Sequence, residues 1–233
     1  MSARHGLTGV ADAAAFLTRL TRLDGSAVVR LRAGAPARTA LWARLPWAVL
    51  VSRTVAGDGP GDVTVSGAEL LAEVSRGDGA LPARRDQEWR WPLPPAAGRV
   101  VETLRAAELW QVAAAAAGTL RTAATEGVGG RAVGQRMLRD ALLDHVAIVV
   151  TEPAAVAEGS EPPVAQSRIE VRQGLIQAIV RMGFLGSPES AGDVPVHVRV
   201  AGRWTGLSAP YGVAWLPPVS TLAVRPTNYR TNG

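Results

Sequence analysis

Apolar and polar positions recur along this chain with two periods, and the switches between them mark out its elements. Over Val10–Leu23, Val10, Ala13, Ala14, Leu17 and Leu20 fall at helical spacing, with Thr8 available as a cap and Asp12, Arg19 and Arg22 on the polar face. Period-two stretches follow at 27–33, 39–45 and 47–55, punctuated by Gly34, Ala35 and Pro36 and then by Pro46. A glycine- and proline-bearing loop at 58–61 leads through 63–65 to Ser66, and Ser66 with Glu69 forms a capping box for a short helix over Gly67–Arg76. Residues 89–95, WRWPLPP, read as an extended segment that its prolines confine to an edge. Trp89 and Trp91 share one side of it and are expected to seal the rim of a core.

The helical period returns over 104–151. Leu109, Val112, Ala113, Ala116 and Leu120 form one stripe, and Val133, Met137, Leu138, Ala141 and Leu142 form a second. Gly127, Gly129 and Gly130 interrupt them, and so short a connection predicts two helices in contact, followed by a β-branched run at 147–151. Residues 152–166 have the composition of a linker. Ser167 and Glu170 then predict a capped helix over 168–182, with the stripe Val171, Leu175, Ala178, Ile179 and Met182 and a stop at Gly183. Strands are expected at 196–200, 204–207, 213–216 and 221–224, the first two joined at Gly202 and Arg203, with a mobile tail beyond.

The fold class that follows is α+β, with antiparallel strands in the N-terminal and C-terminal parts around a central pair of helices. Residues 1–151 are expected to form an α+β domain carrying that pair, 152–166 a Pro/Ala/Glu linker, and 167–233 a smaller subdomain of a helix and β-hairpins able to pack on the first. No internal repeat is legible.

Composition narrows the chemistry more than the fold. Hydrophobic residues make up 47% and charged residues 19% of 233, enough apolar surface for a folded core. The chain has no cysteine and no lysine, so all 25 basic residues are arginine. That excludes disulfides, thiolate nucleophiles, cysteine-ligated metals, Schiff-base chemistry and a P-loop lysine. A formal charge of +5 and a sequence pI near 11.0 permit polyanion binding. No apolar run reaches the roughly 18 residues of a membrane span and the N-terminus lacks a secretory pattern, so a cytoplasmic protein without membrane contact is expected.

Candidate sites are few. Alternation puts Arg30, Arg32, Trp42 and Arg44 on the non-core sides of two strands, where a hairpin would gather them into a basic surface with one aromatic. Amides exposed at Gly127 and Gly129, with Arg131 and Arg136 just beyond, could bind an anion at a helix start. Residues 127–138, GVGGRAVGQRML, partly resemble the hairpin of helix-hairpin-helix DNA-binding motifs, with a Gly-apolar-Gly turn whose following apolar positions come one residue late. The resemblance implies contact with nucleic acid through the turn; a hinge or helix cap is the simpler explanation. Asp140 and Asp144 share a helical side beside His145 and could hold a divalent metal, although Arg136 and Arg139 are in reach to pair with them. His197 could act as an acid or base, with no nucleophile in a recognisable context. A helix at 168–182 before a hairpin at Gly202 also invites a winged-helix arrangement.

The reading that results is a non-enzymatic binding or assembly module without a cofactor or metal, working on a protein partner or by self-association. Nucleic-acid or polyanion binding through the arginine-rich sheet side and the glycine turn is the first alternative. Metal- or histidine-assisted hydrolysis is the second.

Overall fold

The structure is a computed structural model that describes residues 3–126, 134–151 and 168–218. Helix α1 (Val10–Leu23) buries Ala13, Phe16, Leu17 and Leu20, a single stripe at the expected spacing. Strands β1 (Val28–Ala33), β2 (Arg38–Arg44) and β3 (Leu50–Ala56) form a meander, and β4 (Asp62–Ser66) returns beside β1. Ser66 caps α2 (Gly67–Arg76), its hydroxyl accepting from the Glu69 amide at 3.3 Å. The third strand starts at 50 rather than 47 because 46–48 are spent on the turn, where the Leu45 amide donates to the Val49 carbonyl and Ala48 sits at φ 67°. Trp47 is thereby turned toward the helices and donates its Nε1–H to the Gly174 carbonyl at 2.9 Å.

After a single 3-10 turn (Asp86–Glu88), β5 (Arg99–Arg105) leads into α3 (Ala106–Glu126), which touches α4 (Gln135–Asp144) as the expected central pair. The first stripe holds, with Ala106, Leu109, Ala113 and Ala116 buried. The second does not reach the core: no residue of α4 is buried, and Met137 is 68% exposed. β6 (Val146–Thr151) pairs with β7 (Arg168–Arg172) in a small second sheet, followed by α5 (Gln173–Arg181), α6 (Pro188–Ala191), β8 (Pro195–Ala201), β9 (Trp204–Ala209) and β10 (Gly212–Leu216).

The helix expected over 168–182 therefore begins only at 173. Ile169 and Val171 are buried while Arg168 and Glu170 are exposed, a period-two pattern that pairs with β6, so Glu170 belongs to a strand and caps nothing. The rest of the stripe, Leu175, Ala178, Ile179 and Met182, is buried, and Gly183 ends the helix at φ 68°. Its amide donates to the Val180 carbonyl and that of Phe184 to the Ile179 carbonyl, a Schellman motif that needs this left-handed glycine. The linker at 152–166, Gly127, Gly129, Gly130 and Arg131, and the strand expected at 221–224 lie outside the described residues.

All the larger strands join one antiparallel sheet in the order β4-β1-β2-β3-β10-β9-β8-β5. The order reads alike from either edge: an outlying strand, then a three-strand meander whose last strand meets its counterpart in the middle. The hairpin at Gly202 lies inside this sheet, so no winged helix forms. One side of the sheet presents Val29, Leu31, Leu41, Val51, Val198, Leu207 and Ala214 to the helices, all fully buried. Phe16 from α1 and Phe184 after α5 stack there at 6.4 Å, closing the core between the two meanders. The α+β class stands.

Candidate functional site

On the sheet side away from the helices, register sets Arg30 opposite Trp42, Arg32 opposite Ala40 and Arg44 opposite Leu50. Arg30, Arg32, Trp42 and Arg44 thus share one side. The chain after α2 crosses that side from the β4 edge to the β5 edge. Arg84 forms a β-bridge with Val65, and the Thr64 amide donates to Asp86 at 2.7 Å, a bond that holds the Asp86 carboxyl below its usual range. Trp89 then lies 5.8 Å from the Arg30 guanidinium and Trp91 5.1 Å from that of Arg44, with the two indoles edge to face at 5.4 Å. At the far end Arg199 donates to the Gly98 carbonyl at 2.9 Å.

Residues 89–95 were expected along an edge, and they run across the sheet instead. Prolines that cannot join a ladder are tolerated in a strap that makes none. Beneath it Trp42, Trp89, Trp91 and Leu93 pack on Leu50, Trp204 and Trp215, a second, smaller core. Gly206 admits the Trp215 indole onto β9, since a Cβ there would stand 2.5 Å from the ring. Arg30 also forks onto Asp62 at 2.6 and 2.7 Å, and that hydrogen bond holds the Asp62 carboxyl below its usual range; Arg32 lies 3.8 Å from the same group.

The helix side differs. A cleft of about 740 Å³ is lined by Arg22 and Leu23 of α1, Pro46 and Trp47 of the β2–β3 turn, Ala117 and Leu120 of α3, and Gln177 and Arg181 of α5. α4 adds Arg136, Arg139, Asp140, Leu142 and Leu143. Arg22 and Arg181 occupy last turns, where helix carbonyls favour a cation. Arg136, 94% exposed, reaches Asp140 only at 4.0 Å. Arg22, Arg139 and Arg181 have no ion-pair partner among the described residues. A recess with an apolar floor, an excess of guanidinium and one carboxylate suits an anionic ligand.

The remaining candidates have structural partners. Asp144 pairs with Arg172 at 3.5 Å, and no group of three or more metal-ligating side chains occurs among the described residues. His145 is the exposed residue that ends α4. His197 Nδ1 meets the Thr103 hydroxyl at 3.0 Å across β8 and β5. His5, close to the N-terminus, is buried at 4% exposure and its Nδ1 accepts from the Leu7 amide at 3.0 Å. Burial, then the nearby Arg4 charge, lowers its pKa. No helix among the described residues is long and apolar enough to cross a membrane.

Of the residues singled out from sequence, the structure sets Arg30, Trp42 and Arg44 against the strap, leaves Arg32 exposed on the same side beside Asp62, and puts Arg136 in the cleft with Arg22, Arg139 and Arg181. In the sequence those last three belong to three separate helical segments. Their only local signal is the last-turn position of Arg22 and Arg181.

The sequence model of a family described as "Domain of unknown function (DUF8185)" matches residues 93–221, and that of a second, "Domain of unknown function (DUF8010)", matches residues 6–91. The two matches abut within the strap. No curated protein matches the chain in sequence. Among solved structures the fold is similar to a DNA polymerase sliding clamp from Pseudomonas aeruginosa, at TM-score 0.50, 10% identity and 94% coverage of this chain. It is similar too to the DNA polymerase III beta subunit from Thermotoga maritima (0.50, 11%, 94%) and the sliding clamp from Caulobacter crescentus (0.50, 13%, 94%). At these identities the likeness is one of fold alone. The chain spans 65%, 65% and 66% of the lengths of those three proteins.

Proposed function

The chain belongs to the family described as a domain of unknown function (DUF8185), and from that premise and the geometry we propose that it is a non-enzymatic binding module of clamp-like fold that engages nucleic acid on its helix side. The observation that carries the proposal is the convergence of several uncompensated guanidinium groups on one cleft. Arg30, Arg53, Arg84 and Arg85 are each paired to a carboxylate, whereas Arg22, Arg139 and Arg181 converge on one cleft without a partner among the described residues. Guanidinium forks match phosphate oxygens, and a polyanion binding there would release counterions. The solved structures of similar fold are DNA polymerase sliding clamps, which supports choosing nucleic acid among polyanions.

A salt titration tests this reading. Fluorescence anisotropy with a duplex of about 30 base pairs should show log affinity falling with log salt at a slope of about −3 if three phosphates are neutralised. Affinity indifferent to salt would count against it.

A further inference from the structure

We infer that the helix-side cleft is built for a single strand of polynucleotide, with unstacked bases on its apolar floor and phosphates on its arginine rim; this rests on the nucleic-acid reading above. A duplex carries its phosphates on the outside of a paired, stacked column, so it could meet the rim without filling a recess of about 740 Å³. The floor is what remains to be explained. Leu23, Leu120 and Leu142 are half-buried there, beside the half-buried indole of Trp47. The Trp47 ring is oriented by the bond its Nε1–H makes to the Gly174 carbonyl of α5 at 2.9 Å. An aromatic so oriented beside aliphatic side chains offers a base the platform on which single strands stack without sequence preference.

The rim arginines come from α1 and α5 and, separately, from α4, so phosphates spaced along a strand would each find a guanidinium. An acidic amphipathic helix fits less well. Burying its apolar stripe on the floor would turn its carboxylates up to solvent and away from the rim.

Binding of a fluorescein-labelled oligothymidylate of about 15 nucleotides, compared with a duplex of equal length at fixed salt, tests the inference on the full chain. Wild-type protein should bind the single strand about tenfold more tightly. Leu120→Gln with Leu142→Gln, both at half-exposed positions so that thermal unfolding can verify the fold, should weaken the single strand about tenfold and leave duplex affinity unchanged. Arg139→Ala should weaken both. Equal affinity for the two forms with no effect of the leucine changes overturns the inference and leaves the nucleic-acid reading standing. Failure to bind either form removes that reading as well, and capture of an acidic amphipathic peptide without oligonucleotide assigns the cleft to a protein partner and overturns the inference.

Discussion

Replacing Arg139 and Arg181 together by alanine is expected to lower affinity for nucleic acid by about tenfold to a hundredfold at moderate salt, with the melting temperature lowered by no more than about 3 °C through loss of the Arg181 charge at the end of α5. Both side chains line the cleft, from α4 and α5, and neither holds a carboxylate among the described residues. No buried acid is orphaned by their removal, so the variant isolates binding from stability. Two lost phosphate contacts should also shrink the salt slope by about 2. The matched control is Arg30→Ala with Arg44→Ala on the strapped side of the sheet. Those arginines serve Asp62, Trp89 and Trp91, so the control should cost stability and spare affinity. Anisotropy on the wild type and the two double variants decides; equal losses in both double variants would leave the cleft without a special role.

Phe184→Ala carries the largest expected effect on stability, about 3–5 kcal/mol. The ring is fully buried, stacks on Phe16, and lies against Gly212 of β10, where an added Cβ would come within 2.6 Å of it. The neighbouring Tyr211 amide donates to the Phe184 carbonyl at 3.2 Å. One side chain thus joins α1, the end of α5 and the centre of the sheet, and its cavity would be lined by parts of both meanders. Calorimetry should show a single transition displaced downward by about 10 °C. A split trace, with one transition unmoved, would mean that the two parts of the chain fold independently.

How much of this was legible from sequence depended on how local the cause was. Val10–Leu23 and Gly67–Arg76 were readable because an apolar stripe or a capping serine specifies them within a few residues. The gathering of Arg30, Arg32, Trp42 and Arg44 on one side followed from alternation alone. Val171 misled because it satisfies both periods: it continues the stripe of α5 and also alternates with Ile169 in β7. The β3–β10 pairing that unites the sheet was out of reach, since nothing in either strand names its partner across so long a separation. The strap was visible as a tryptophan-proline segment, but its path depends on where Arg30, Arg44 and Trp215 come to lie. The cleft was hidden for the same reason, its arginines being contributed by three helices that only the tertiary fold brings together.

The placement of nucleic acid on the helix side is tested most directly by backbone hydrogen exchange with and without a saturating oligonucleotide. Added protection should appear in α4 and in the last turns of α1 and α5, with the strap at residues 86–98 unchanged. Protection of the strap and of β1–β2 with α4 unaltered would put the ligand on the sheet side and contradict it.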